Sequence, residues 1–423
     1  MKANTGKIIR VDLNTGVVSI ETLPENNYRE YVGGSGLAAK YFWEKGDFNA
    51  DALSPEAMLI FMNGPFSGLK LSGASRNSVA GRSPLTGHWA DSSCGGFFAP
   101  ELRYAGYDGI VLTGKSPKPS VLLIEDDKIS IVDGTEYWGK GIEEVTKELR
   151  NKHGKTCRTV TIGPAGENLV KFACIMNEGH HTFGRTGFGA VMGSKNLKAI
   201  VVKAAKKEMT LADPEKYEEL RKELNAKIKD ALASNVLHEN GSAANLGGGA
   251  FTGDVPVKNF TSNFWEEVTD ALSGPTLTEK YLTKRGACAY CAIACKRVVE
   301  VKEGPWTIPE GPGPEYETIV AYGSLMGSLD LAAVCKANRI CNDMGMDTIS
   351  SGVTIAWAME AFEKGDLTEA DTDGIQLNWG DMETVINIVL PKIVKREGNL
   401  GALLAEGSVS AAEKIGKDSR PVG

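Results

Sequence analysis

Cys288-Ala-Tyr-Cys291-Ala-Ile-Ala-Cys295 places three thiols within one short run, at the spacing C-x2-C-x3-C. Three thiolates presented to one point bind metal. Zinc asks for a fourth Cys or His ligand, and none stands close by in the sequence. An iron–sulfur cluster is also held by four thiolates as a rule, and its fourth is often remote in the chain. The third reading is a helix lined with three cysteines acting as small hydrophobes. A run this tight favours the cluster over the other two. Lys284 and Arg285 precede the run and Lys296 and Arg297 follow it, so cations stand ready to offset the negative charge of a thiolate-bound cluster.

Other stretches carry groups suited to an anion. Residues 75–84 read as a strand that holds Arg76 and Arg82 where a buried strand carries no charge. Either this is an edge strand with solvated arginines, or the sheet lays arginines against an anionic ligand. Ser92, Ser93, Gly95 and Gly96 form a small-residue turn that can offer backbone N–H groups to an anion, or an ordinary glycine turn between strands. Glycines at 184, 187, 189 and 193, with Arg185 and Thr186 among them, resemble a phosphate-cradling loop, although the pattern is neither a P-loop nor a strand–GxGxxG–helix unit. In Asn342-Asp-Met-Gly345-Met-Asp347, Gly345 reads as a helix C-cap and Asp347 as the N-cap of the next helix. That helix N-terminus could also hold a ligand. Glu315 and Glu317 open a helical segment, and residues two apart on a helix point to different sides, so only one of them can face a site.

The elements that position these groups divide the chain into two textures. Residues 1–208 are strand-rich, with hairpins over 7–23 and 120–132, strands over 57–62, 109–113, 159–162 and 199–202, and helices over 37–45 and 142–153. Residues 209–423 are mainly helical, with helices over 217–233, 315–329, 331–344, 348–364, 382–397 and 401–415. Within this half, 241–253 reads as a glycine-rich loop and 299–312 as turn-rich chain. The expected class is α+β: a β-rich N-terminal domain, 1–208, and a mainly helical domain, 209–423, that carries the cysteines.

The bulk properties agree. The chain has 423 residues, and its formal net charge of −7 argues against a nucleic-acid partner. The start lacks the apolar core of a signal peptide. No window of about 18 uncharged apolar residues offers a membrane span. Eight cysteines, three of them clustered, point to a metal site in a reducing, cytoplasmic setting rather than to a disulfide framework.

Taken together, the cysteine run, Gly313-Pro-Glu-Tyr-Glu-Thr318, Asn342-x-x-Gly-Met-Asp347 and Gly184-Arg-Thr-Gly-Phe-Gly-Ala-Val-Met-Gly193 resemble the aldehyde ferredoxin oxidoreductase family of tungsten–pterin enzymes, in the right order along the whole chain. The resemblance implies a β-rich base of two antiparallel sheets beneath helical domains. It implies a tungsten or molybdenum bis-pyranopterin, a [4Fe–4S] cluster held by Cys288, Cys291 and Cys295, and magnesium between the cofactor phosphates. Arg76 would lie between cluster and pterin; Gly95, Arg185 and Thr186 would contact pterin or phosphate. Asn342, Gly345 and Asp347 would bind one pterin, and Glu317 would handle protons beside the metal. Ser93 stands where relatives carry the Asn whose carbonyl helps hold magnesium, and Lys336 where some carry a glutamate that ligates an intersubunit iron. The expected reaction is oxidation of a small aldehyde to its acid, with electrons passed to ferredoxin or an iron–sulfur subunit, in a homo-oligomer or complex. The alternatives are a family member with another substrate (an aromatic thioester, a sugar phosphate) or with molybdenum, and a non-catalytic fragment. Family members are longer, so the third domain is expected to be absent, and with it the fourth cluster ligand. Cys335 and Cys341, six apart on one helix, read as core.

Overall fold

The computed structural model describes residues 4–416. They form two compact units. The first takes the described residues up to Ile228 together with Cys288–Ala292 and Asp343–Gly345; the second takes the remainder.

The first unit is built on two six-stranded sheets. One comprises β1 (Lys7–Asp12), β2 (Val17–Thr22), β3 (Leu59–Asn63), β4 (Asn77–Arg82), β5 (Trp89–Cys94) and β6 (Gly109–Thr113), in the order β2-β1-β6-β3-β4-β5. The other comprises β7 (Ser120–Glu125), β8 (Lys128–Asp133), β9 (Arg158–Thr161), β10 (Ile175–Asn177), β11 (His181–Phe183) and β12 (Leu197–Lys203), in the order β11-β10-β9-β12-β7-β8. The expectation of purely antiparallel sheets is corrected: β1 runs parallel to β6 and β12 parallel to β7. Each parallel pair joins segments far apart in sequence, which local hairpin signals cannot reveal.

Side-chain alternation explains the layers. Ile9, Phe61, Ile110 and Leu112 of the first sheet share one core with Leu122, Ile124, Ile200 and Val202 of the second. The alternate residues Ile8, Ile60, Met62 and Val111 face the helix Gly34–Lys45 through Leu37, Tyr41 and Phe42. In the second sheet, Val121, Leu123, Ala199 and Val201 face the helix Ile142–His153 through Val145 and Leu149. The central strands are buried on both faces, and so read as continuous apolar runs rather than alternating ones.

A buried ion pair ties the start of the described chain to this base. Arg103 Nη1 lies 2.7 Å from Asp108 Oδ1, and Asp108 Oδ2 accepts from Tyr28 Oη at 2.6 Å and from the Gly6 amide at 2.8 Å. Burial and the adjoining Asp108 carboxylate push the Tyr28 phenol far above its ordinary value. Lys195 is fully buried as well. Its ammonium donates to the carbonyls of Ser54, Pro55 and Gly114 at 3.2–3.4 Å.

The second unit carries an antiparallel sheet of β13 (Leu282–Gly286), β14 (Lys296–Val301) and β15 (Ile308–Pro312). Residues 299–312, expected to be turn-rich, therefore supply the end of β14 and all of β15. The glycine-rich 241–253 stretch is not a loop: it contains the helix Leu246–Thr252. A Cβ at Gly247 would lie 2.8 Å from Thr269 Cγ2, so glycine allows this helix to lie close against Val268–Leu272. The helices Leu331–Met344 and Thr348–Glu363 match expectation. The expected last helix is broken at Gly407, φ +87, into Gly398–Leu404 and Ser408–Ile415. Helix Pro214–Asp230, which belongs to the first unit as far as Ile228, starts as the sequence suggests, with Asp213 Oδ1 accepting from the Lys216 amide at 3.0 Å. Among the described residues no helix is long and apolar enough to cross a membrane.

Burial pushes the Lys195 ammonium down from 10.5 to about 8. Below pH 8 both the folded and unfolded chains bind this proton, and the fold bears the cost of a buried charge. Between about 8 and 10.5 only the unfolded chain binds it, so stability rises with pH in that window. Denaturant titrations from pH 7.5 to 10.5 should show this rise, and Lys195→Met should flatten it relative to the wild type.

Candidate functional site

The cysteine run is the connection between the paired strands β13 and β14, whose last partners are Arg285 with Arg297 and Gly286 with Lys296. The helical reading of the run is therefore excluded. The chain turns by placing Tyr290 at φ +60 and Ala294 at φ +52, and the Cys291 amide donates to the Cys288 carbonyl at 3.1 Å. The expected convergence of the three thiols is not seen: among the described residues no three His, Cys, Asp or Glu side chains are grouped to share a metal. Cys288 and Cys291 belong to the first unit and Cys295 to the second. The donor chemistry nonetheless separates these three from the rest. All eight cysteines are free thiols; these three are partly exposed and the other five are buried. Burial pushes Cys335 and Cys341 up to about 12, consistent with core roles. Cys341 Sγ lies 3.1 Å from Tyr322 Oη inside the second unit.

Cys288 settles against the β-rich base. A Cβ at Gly95 would lie 2.7 Å from Cys288 Sγ, so the sulfur occupies the space that any side chain there would fill. The Ala289 amide donates to the Gly96 carbonyl at 3.2 Å, and Asn177 Nδ2 donates to the Gly95 carbonyl at 2.7 Å. His181 Nδ1 lies 3.9 Å from Cys288 Sγ. Next to this patch, Arg76 donates from Nε to Ser93 Oγ at 2.8 Å and from Nη2 to the Ser93 carbonyl at 2.7 Å. Ser92 and Ser93 lie in β5 rather than in a turn, paired with Val79 and Ser78. The edge-strand reading of residues 75–84 is also corrected, because β4 lies between β3 and β5. Arg82 does not face an anion: it donates to the Gly87, Phe48 and Ala50 carbonyls.

The cations flanking the cysteines have partners of their own. Lys284 pairs with Glu310 at 2.5 Å and Arg285 with Glu239 at 2.6 Å. Arg297 is buried and holds four carbonyls, those of His238 and Glu239 at 2.7 Å, Cys295 at 3.1 Å and Ala294 at 3.4 Å. His238 Nδ1 lies 2.7 Å from the Ile293 carbonyl. Arg297 and His238 thus brace the C-terminal part of the loop rather than offset its charge.

Arg185, Thr186 and Gly187 follow one another at φ +57, +56 and +81. A left-handed β-branched residue is strained, at a cost on the order of 1–3 kcal/mol, and such strain concentrates at functional sites. Arg185 is exposed, whereas Thr186 Oγ1 is buried with no hydrogen-bond partner. Asp347 is buried and caps its helix as expected, Oδ2 accepting from the Ser350 amide at 2.7 Å. Asn342 is half-buried near the end of the preceding helix. Gly345 sits at φ +72, and its carbonyl accepts from the Cys174 amide at 2.9 Å. Glu317 and Glu315 are both exposed. Ser242 Oγ is hydrogen-bonded to Glu315.

Sequence reasoning missed His181, Asn177, Arg297's bracing and Asp343. The Asp343 carboxylate accepts from the Glu143 amide at 2.9 Å and so caps the helix Ile142–His153, two hundred residues earlier in the chain. Nothing local marks any of these roles.

A family model described as aldehyde ferredoxin oxidoreductase, N-terminal domain, matches residues 8–204, and one described as aldehyde ferredoxin oxidoreductase, domains 2 & 3, matches residues 219–422. The chain belongs to the aldehyde ferredoxin oxidoreductase family, a family of enzymes. The match of domains 2 and 3 overturns the expectation that the C-terminal domain is absent. The tungsten-containing aldehyde ferredoxin oxidoreductase of Pyrococcus furiosus is 41% identical over 419 residues, 98% of this chain and 68% of that protein. An aliphatic sulfonate oxidoreductase, WOR-like subunit, of the same organism is 32% identical over 439 residues, again 98% of this chain and 68% of that protein. Among solved structures, the active site complex BamBC of benzoyl coenzyme A reductase, in complex with 1,5-dienoyl-CoA, superposes with a TM-score of 0.87 at 31% identity. It covers 99% of this chain and 64% of that one.

Gly95→Ala should be costly because Cys288 Sγ stands where the new methyl would go. A loss of about 1–3 kcal/mol is expected from overpacking. Denaturant unfolding of the variant measures it, and Gly248→Ala, whose Cβ position is open and whose φ is likewise ordinary, supplies the comparison without a clash.

Proposed function

We propose that this chain is a tungsten–pterin and [4Fe–4S]-dependent oxidoreductase that oxidises small aldehydes to carboxylic acids and passes the electrons to ferredoxin or an iron–sulfur subunit. The observation that carries this reading is the donor set. The three partly exposed thiols follow one another along one hairpin loop, in a family that includes tungsten-containing enzymes. Cys288, Cys291 and Cys295 would hold the cluster. When bound, the metal supplies two-electron chemistry and the cluster relays single electrons.

The chain's own residues bind and orient. Arg76, fixed in a fork by Ser93, presents a permanent cation beside Cys288, suited to the anionic parts of cluster and pterin. Gly95 gives the close approach. Arg185 and Thr186, in their left-handed loop, would meet pterin or phosphate, and the unpartnered Thr186 hydroxyl is a group such a ligand would satisfy. Asn342, Gly345 and the helix N-terminus at Asp347 would bind one pterin. Ser93, whose hydroxyl and carbonyl each accept from Arg76, would contact the cofactor beside it, its carbonyl keeping a second lone pair. Converting an aldehyde and water to an acid releases two electrons and two protons. Glu317, exposed on the first helical turn, would take a proton on its carboxylate oxygen and return it to solvent. The division into a β-rich part to 208 and a helical part beyond it belongs to this reading, supported by the gap between the two family models. So does a cytoplasmic location. The likeness to the benzoyl coenzyme A reductase complex favours a second reading, reduction of an aromatic thioester.

Anaerobically purified protein should contain tungsten, iron and sulfide, and should reduce an oxidised dye with aldehydes but should not oxidise a reduced dye with an aromatic thioester. Cys291→Ser should lose most of the iron. Equal iron in both proteins, or an absence of tungsten, would sink this reading.

Glu317→Gln should lower aldehyde turnover by about 10²–10⁴-fold with metal retained. Glu315→Gln should leave it near wild type. A larger loss at Glu315 would show that the other carboxylate faces the substrate.

A further inference from the structure

We propose that His181 donates its Nδ1–H to the sulfur of Cys288 and thereby raises the reduction potential of the cluster held there. The inference rests on the cluster reading above. His181 opens β11, where it pairs with Asn177 of β10. This register brings its ring to the turn Gly95–Gly96. Gly96 stands at φ +93, and a Cβ there would lie 2.7 Å from His181 Cδ2 and 2.5 Å from Asn177 Nδ2. Only glycine leaves room for both side chains. Gly95 does the same for Cys288, and the imidazole and thiol then meet with Nδ1 3.9 Å from Sγ. Asn177, bonded to the Gly95 carbonyl, and the Ala289 amide, bonded to the Gly96 carbonyl, lock the patch together. All of these residues lie in the first compact unit.

The chemistry follows from charge. A cluster gains one negative charge on reduction, and part of it falls on the ligating sulfurs. An N–H dipole aimed at one of them stabilises the reduced form more than the oxidised form, which raises the potential. Arg76 acts on the same region as a fixed cation: its Nη1 is 4.0 Å from the Cβ position at Gly95. Its fork to Ser93 does not depend on His181. The histidine is thus a positioning and tuning residue for Cys288, separate from the residues assigned to substrate and pterin.

The test compares wild type with His181→Leu, which removes the donor and keeps bulk, and His181→Gln, which keeps an N–H within reach. Iron and sulfide content are measured first, then the midpoint potential by redox titration followed by electron paramagnetic resonance. His181→Leu should retain the cluster and titrate at a lower potential. At the wild-type midpoint its reduced-to-oxidised ratio should fall several-fold; a tenfold fall corresponds to about 59 mV for a one-electron couple. His181→Gln should recover most of the shift. The inference is overturned if His181→Leu keeps the cluster at the wild-type potential, if the Gln variant shifts as far as the Leu variant, or if both lose the cluster, since the residue would then serve assembly alone. Cys288→Ser tests the underlying reading by itself: unchanged iron there would remove the cluster from Cys288, and this inference with it.

Discussion

The contact on which the candidate site depends is that between the Cys288 sulfur and the side-chain-free pair Gly95–Gly96. A thiol needs a place to rest in which its sulfur is reachable yet its backbone is held. The end of β5 provides it: two glycines without side chains, with carbonyls engaged by Asn177 and by the Ala289 amide. Arg76 and His181 reach the sulfur's surroundings only because nothing projects from this turn. The Gly-Gly dipeptide is therefore a packing requirement first, and an anion-binding turn only if its N–H groups find a ligand.

That turn is positioned by the base beneath it. β5 takes its place from β4, β4 from β3, and the whole first sheet from a core it shares with the second. Because each central strand buries both faces, a register slip would expose one apolar set and bury nothing in exchange. The end of β5 and the turn between β10 and β11 are thus held by packing remote from the cysteine loop. Each sheet contains one parallel pair, β1 with β6 and β7 with β12, formed between segments that no hairpin connects.

Three cations in this chain serve carbonyls. Lys195 holds three, Arg82 three and Arg297 four. A buried guanidinium or ammonium without a carboxylate would be costly, and several oriented carbonyl dipoles offset that cost. This is why counting positive residues around Cys288–Cys295 misleads. Arg297 is adjacent in sequence, but its charge supports the backbone of Ala294 and Cys295. Arg76, more than two hundred residues earlier, is the arginine placed beside Cys288.

The sequence by itself determined which residues have donor chemistry and which segments alternate. The C-x2-C-x3-C spacing, the helices 142–153 and 331–344, the Asp213 and Asp347 caps and the α+β division are local properties, written in periodicity and capping residues that act within a turn or two. Tertiary structure decided what lies next to what. It made 308–312 a strand by pairing it with β14 and made the glycine-rich 246–252 a helix by offering it a close neighbour. It left Glu317 exposed and brought His181 to Cys288 across more than a hundred residues. Those outcomes depend on packing between distant segments, whose free energy is shared among many contacts and leaves no mark on any short stretch of chain.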